Sequence, residues 1–334
     1  MKKQFFFLAF VFVFIFGGCA DKVLVNGTKP ALVDRASQTK KVAVLKFESD
    51  DVGLGAKIES AMYQTKINGT PYFTIISKKN RDDIINEQKF QYSGLANKEN
   101  GVEIGELLGA QALITGKVNH ATFQTNRYYD VRVQCLDKKC EQKREYHVPC
   151  VNGNYSLSAS ISMIDVAKGD VIFTDNYSQN TTYSKCSDEG GGLPSKSTVM
   201  DKFANNIVSK FMPNIAPTQV SYYLEVLDDP EIDYTDEQEK MLENGIEYIK
   251  MGRLDRSEEL FSKLLTSTND KCYVASYNLA VVKETKGEYE YAKQLYTLSD
   301  TLSPEPNETI SKAILRIDRL LIEQKSLQSQ LENK

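Results

Sequence analysis

Six cysteines are the residues best equipped for chemistry in this 334-residue sequence. Four of them, Cys135, Cys140, Cys150 and Cys186, are spaced C-x4-C-x9-C with a distant fourth, and His147 lies among them. The residue types would suit zinc, but the C-x2-C pairs of structural zinc sites are absent. In an exported chain the same set favours disulfides. Cys135 and Cys150 are candidates to face each other across a hairpin, yet four cysteines allow three pairings and spacing leaves the choice open. Cys272, in Lys271-Cys-Tyr273, is left over and reads as a half-buried packing thiol.

Other motifs invite chemistry and fall short of it. Gly190-Gly191-Gly192 before Pro194-Ser195-Lys196-Ser197 lacks the G-x4-G-K-[ST] order of a phosphate loop and reads as a flexible loop ahead of a helix. Gly53-x-Gly55 is followed by Ile58 where a dinucleotide fingerprint needs glycine. The two histidines, His120 and His147, have no companion nucleophile motif and read as surface or hairpin residues. The acid pairs Asp50-Asp51 and Asp82-Asp83 stand at helix starts, where capping accounts for them. The expectation is a chain with no catalytic residues, no metal site and no cofactor.

The clearest functional signal is an address. Met1-Lys2-Lys3 precedes an unbroken apolar run from Phe5 to Phe16. As a helix that run is about 18 Å long, too short for a ~30 Å hydrocarbon core, and it reads as a signal-peptide h-region. Gly17-Gly18-Cys19-Ala20 resembles a bacterial lipobox, although Phe16 stands where Leu is usual. Cys19 is therefore the candidate lipidation site and mature N-terminus. Three acyl chains at ~0.8 kcal/mol per buried methylene amount to permanent anchoring. Ala20, rather than Asp, follows the cysteine, which by the familiar sorting rule implies the outer membrane, periplasmic face.

The elements that must carry these residues divide near residue 220. Residues 225–334 hold 14 basic and 23 acidic groups, against 27 and 22 in the rest, and the total of −4 gives no global basicity to argue for nucleic acid. Residues 1–18 read as signal peptide and 19–40 as a polar tether. Over 41–215, Lys41–Phe47, Tyr72–Ile76 and Ala112–Val118 are buried-strand candidates. Helices are expected after Gly55, after Asn80 and from Asn100 to Leu108. Arg127–Cys135 and Tyr155–Val166 alternate like half-exposed strands, with Leu157, Ala159, Ile161 and Met163 on one face and Ser156, Ser158, Ser160 and Ser162 on the other. Lys168-Gly169-Asp170 turns the chain into Val171–Tyr183. A helix from Ser197 to Phe211 closes the domain, and Pro213 and Pro217 mark the exit into a 216–236 linker. The class is an α+β sandwich, a sheet with packed helices.

From residue 237 to 334 the pattern is helical and repeats. Gly245 and Ala280, Gly252 and Gly287, Ser257 and Ala292, and Phe261 and Tyr296 stand 35 apart. Small residues let paired helices approach, aromatics fill the gap, and glycine turns the chain between helices. This is an all-α, tetratricopeptide-like repeat domain with a terminal helix from Asn307 to Leu331 and a concave surface for a partner.

Four stretches in order carry a wider resemblance: Lys41–Phe47, Asn80–Gln88 with Gly94-Leu95, Gly105–Val118, and Met163–Val171. They resemble the bacterial lipoprotein family typified by CsgG and LpoB, over roughly 41–212. The resemblance implies a periplasmic α/β sandwich that works by binding partners rather than by chemistry. It implies protein partners in the cell envelope, in peptidoglycan synthesis or surface-structure assembly, membrane attachment through the lipid, and compatibility with a homo-oligomeric ring. The alternative is an oligomeric secretion channel. Two departures weigh against it: Glu48–Leu54 is too short for a constriction loop, and the region matching the inserted hairpins carries Asp137, Lys138, Lys139, Glu141, Lys143, Arg144 and Glu145, costly in lipid.

Overall fold

The structure is a computed structural model and describes residues 22–76, 105–106, 108–229 and 232–332. Cys19, the apolar leader, the helix read after Asn80 and most of that read from Asn100 lie outside these residues. The chain divides into two compact units, one of residues 28–218 with 324–334, the other reaching to Gly27 and resuming over 219–323.

The first unit is a mixed sheet with packed helices. Strands β2 (Lys41–Val44), β5 (Thr74–Ile75), β6 (Ala112–Cys135), β7 (Lys143–Asp165) and β8 (Val171–Cys186) lie in the order β5-β2-β6-β7-β8. β2 runs parallel to β5 and β6, while β6, β7 and β8 form an antiparallel meander. Val42, Ala43 and Val44 are buried because a parallel strand is covered on both faces. Helices α1 (Asp34–Gln38), α2 (Leu54–Gln64) and α3 (Lys196–Ile215) flank the sheet. Ile58, Met62, Phe203, Ile207 and Phe211 meet Leu157, Ala159, Ile161 and Met163 in one core. The serines of β7 face outward as expected, where Ser160 donates to Asn176 at 2.6 Å and Ser162 meets Thr174 at 2.7 Å. Asp50 caps α2, accepting from Leu54 N at 2.8 Å and Gly55 N at 2.9 Å. Short strands β3 (Lys66–Ile67) and β4 (Thr70–Pro71) form a hairpin between α2 and β5.

The expected third strand and the strand expected at 127–135 are one strand of 24 residues, and β7 starts 12 residues before Tyr155. Helix α3 runs through Pro213 to Ile215, because a proline near the last turn forfeits only one backbone bond. The tether and linker readings are corrected. β1 (Lys22–Lys29) and β9 (Thr218–Glu225) pair as a two-stranded ribbon, and α1 buries Ala36 and Ser37 fully. The polar composition of 19–40 concealed alternating Val23 and Val25, both buried.

The second unit contains α4 (Asp236–Lys250), α5 (Leu254–Ser267), α6 (Tyr273–Thr285), α7 (Tyr289–Leu302) and most of α8 (Glu308–Glu332). Thr235 and Gln238 form a capping box at α4. A Cβ added at Gly245 would fall 2.5 Å from the Phe261 ring, so only glycine admits α5 this close. Ala280 and Tyr296 repeat that packing one unit later, both fully buried together with Ala292. Gly252 and Gly287 take φ of +72° and +77° between paired helices, the left-handed region that favours glycine. Ser257 Oγ donates to Gly245 O at 2.8 Å and Ser276 Oγ to Leu295 O at 2.8 Å, tying each hairpin internally.

The helical region does not keep all of 237–334, since the residues from 324 onward belong to the sheet unit. Gln330 is fully buried there. Its Oε1 accepts from Ala31 N at 2.8 Å, and its Nε2 donates to Ala31 O at 3.1 Å and to Asp34. Lys40 Nζ, 3.5 Å above the Tyr72 ring and pulled down to a pKa of about 8 by burial, donates to Gln330 O at 3.0 Å. Gln330→Ala strands the Ala31 backbone groups and is expected to lower the stability of the sheet unit by about 1–3 kcal/mol. Thermal unfolding checks it. An unchanged midpoint would show that these bonds are replaced by water.

Candidate functional site

Beyond Asn126 and Asn152 the meander leaves its helices behind, and β6, β7 and β8 continue as a narrow ribbon. A ribbon with no helix layer has little core of its own: Val148, Cys150 and Cys186 with Tyr128 make up its cluster. Covalent bonds take over that task. Cys150 and Cys186 are directly paired across β7 and β8 and form a disulfide. Cys135 and Cys140 form a second, closing the turn from β6 to β7. Cys135 stands opposite Lys143 and Cys150 opposite Tyr128, so the cross-hairpin pairing suggested by spacing does not occur. Asp130 completes a possible metal triad with Cys150 and Cys186, but both sulfurs are committed to the disulfide.

Charges fix the tip locally. The Asp137 carboxylate accepts from the backbone N–H of Gln142, Glu141 at 3.1 Å and Lys139 at 2.9 Å, and these bonds hold its pKa below the usual range. Arg132 bridges Asp130, Asp188 and Glu189 on one face. The other face is apolar and exposed: Tyr129 is 72 % accessible, Val131 48 %, Val133 55 %, and Leu136 in the turn 58 %. Pro149, His147 and Glu145 stand directly across from the first three. Apolar residues in line with a polar rim have the composition of a protein–protein contact. Arg127, Tyr128, Tyr129, Lys185, Gly191 and Gly192 border a hollow of about 450 Å³ at its base. Spacing singles out the cysteines and alternation marks Arg127–Cys135 as half-exposed, but that its apolar positions meet no covering layer is decided by the tertiary structure.

The helical unit places its repeat residues in the interior. Gly245, Phe261, Ala280, Ala292 and Tyr296 pack helix on helix and are buried, and Gly252 and Gly287 turn the chain nearer the surface. The concave surface expected on the repeats is covered at α6 by the chain itself. Asn278 accepts from Leu227 N at 2.9 Å and donates to Leu227 O at 2.7 Å, Tyr277 OH donates to Glu225 O at 3.1 Å, and Tyr222 OH donates to Glu284 Oε1 at 3.3 Å. Residues 222–227 thus join the neighbouring helices in burying α6 almost from end to end. Burial pushes the Tyr277 phenol up to about 12. Cys272 is buried rather than half-buried, with its sulfur 2.8 Å from Tyr234 OH.

A groove of about 1050 Å³ in the sheet unit lies between Ser49–Val52, the bulged β6 residues Lys117–Ala121 and the start of α3. Its groups serve structure. Ser195 caps α3, accepting from Thr198 N at 3.1 Å, Lys117 pairs with Glu48 at 3.3 Å, and His120 Nε2 meets Ser156 Oγ at 3.0 Å in a ladder continued by Asn119 and Ser160. The Gly-rich loop thus leads into a capped helix, and His147 lies on the ribbon.

Fold and site together describe a mixed-sheet domain with a disulfide-stapled extension, followed by helical hairpins. Residues 31–127 match the family model of the curli production assembly/transport component CsgG, and this part of the chain is a CsgG-family domain. The match ends where the ribbon begins. The LpoB C-terminal domain from Salmonella enterica is similar at 9 % identity, covering 42 % of this chain and 82 % of that one, with a TM-score of 0.26. Lipoprotein GNA1162 from Neisseria meningitidis is similar at 12 % identity over 51 % of this chain and 96 % of that one, TM-score 0.27. The PelC dodecamer from Paraburkholderia phytofirmans is similar at 15 % identity over 58 % and 99 %, TM-score 0.25. No curated protein matches the chain.

Proposed function

We propose that the chain is a non-enzymatic lipoprotein, anchored through Cys19 on the periplasmic face of the outer membrane, that acts as an adaptor for an envelope assembly. Peptidoglycan synthesis and surface-structure assembly are its candidate settings. The observation that carries the reading is the stapled ribbon. Two disulfides hold an exposed apolar strip, Tyr129, Val131, Val133 and Leu136, where only a small cluster supports it. A rigid preformed strip loses little conformational freedom on binding. The ribbon, rather than the covered face of α6, is the partner contact. The helical unit, tetratricopeptide-like in its 35-residue repeat, provides the scaffold.

One feature favours the secretion channel: the paired arms 127–135 and 143–151 have the length of a membrane-spanning strand. Glu145 shares the face of Val133, however, and in lipid that face would bury a carboxylate at a cost. A photo-crosslinking residue placed at Tyr129 or Val133 in cells should yield one discrete adduct with a protein, and one placed at exposed Tyr63 on α2 should not. Adducts from Tyr63 alone would move the contact away from the ribbon.

A further inference from the structure

We infer that the helical unit lays one face against the bilayer that holds the anchor: the outer face of the β1–β9 ribbon, continued along one stripe of α8. The inference rests on the reading of Cys19 as a lipid anchor and adds an orientation to it. Only Ala20 and Asp21 separate Cys19 from Lys22. Three Cα–Cα steps of 3.8 Å reach at most about 11 Å. β1 adds nothing to that reach, because Val23 and Val25 are buried in the same core as Leu224, Ile246 and Phe261. A lipidated Cys19 sits at headgroup level, so the surface around Lys22 is brought within about 11 Å of it.

That surface has a composition suited to the headgroup layer. Lys22 meets Glu225 at 3.8 Å and Ser221 Oγ donates to Asn26 Oδ1 at 2.6 Å, so the strands run antiparallel, and by alternation Leu24 and Tyr223 lie on the same face as these four residues. Both are exposed. Lys22, Tyr223, Glu225, Thr309 and Lys312 border one shallow hollow of about 210 Å³, which joins the ribbon to α8. On α8, Ile310, Ala313, Ile317 and Leu320 face the core. The opposite stripe is Lys312, Leu315, Arg319 and Ile322, three or four residues apart. Leu315 is 73 % and Ile322 71 % accessible, two turns apart and alternating with long basic side chains. Such a stripe lies in the plane of a membrane surface, with the apolar side chains entering the acyl boundary and Lys and Arg reaching up to phosphates.

Charge is not the driving term. Glu308 pairs with Lys312 at 2.7 Å, Glu323 with Arg319 at 3.7 Å and Glu225 with Lys22, so the face is nearly balanced. The anchor supplies the affinity, and the stripe sets which side of the unit is turned down.

The test uses the full lipidated protein in phosphatidylethanolamine/phosphatidylglycerol vesicles, with an environment-sensitive thiol-reactive fluorophore at Leu315→Cys or Ile322→Cys. Cys272 is buried and the four ribbon cysteines are oxidised, so the introduced thiol is the one that reacts. A headgroup-borne nitroxide should quench either position by about half or more, and a water-soluble nitroxide should quench it less. Stronger quenching by the soluble nitroxide at both positions, on protein whose Cys19 carries an alkyne fatty acid, would overturn the inference and leave the anchor intact. Equal fatty-acid labelling of wild type and Cys19→Ser would overturn the anchor reading and the inference with it.

Discussion

Arg316→Met should destabilise the helical unit by about 3–5 kcal/mol, the usual result of stranding a buried charge. The Glu284 side chain is fully buried inside that unit. Its carboxylate accepts from Arg316 Nε at 2.8 Å, Arg316 Nη2 at 3.0 Å, Tyr296 OH at 2.7 Å and Tyr222 OH at 3.3 Å. Burial works against the Arg316 charge, and the hydrogen bonds and charge of Glu284 more than offset it, so the guanidinium is held above its ordinary range. With methionine at 316 the carboxylate keeps two phenols and no counter-charge. The double variant Glu284→Gln/Arg316→Met removes the anion as well and should recover at least about 2 kcal/mol of the loss. Hydrogen exchange along α6, or urea unfolding followed by helical circular dichroism, measures both. A double variant as unstable as the single one would show that the loss lies in the packing of the Arg316 stem rather than in charge.

Removing the Cys150–Cys186 disulfide should release the ribbon while leaving the sheet beneath it folded. The bond joins residues 36 apart, and chain entropy for a loop of that size is worth about 3–4 kcal/mol. The Cys135–Cys140 bond spans only 5 residues and on the same scale contributes about 2 kcal/mol. The difference predicts an order. Cys150→Ser/Cys186→Ser should speed amide exchange over 127–135 and 143–151 by two orders of magnitude or so, the equivalent of about 3 kcal/mol. Cys135→Ser/Cys140→Ser should affect only the turn. Exchange over 155–163 should hold in both, since Leu157, Ala159 and Ile161 pack on α3 regardless of the ribbon. Unchanged protection in the first variant would mean that the strand ladder is self-sufficient. In the proposed role, the same variant should also lose the adduct formed from Tyr129.

Local periods were readable directly. Leu157 to Met163 alternates with the four serines because a strand has period two, and one face meets α3 while the other meets solvent. The 35-residue echo of Gly245, Gly252 and Phe261 in Ala280, Gly287 and Tyr296 reports a packing rule confined to one hairpin and its neighbour. Asp50 announced its helix because a cap lies within a few residues of the groups it satisfies.

What escaped the sequence has a common cause: its partner is far along the chain. β1 reads as a polar tether until β9, nearly two hundred residues later, is laid beside it and Val23 and Val25 find their core. Gln330 is an ordinary helix residue until Ala31 arrives. The ribbon is hidden in a different way. Its strand 127–135 alternates, but the apolar positions meet no core, and which of three cysteine pairings forms is settled only by the register that sets Cys150 against Cys186. Sequence period determines which face of an element is apolar; tertiary structure decides what that face meets, because the meeting depends on distances that composition does not encode.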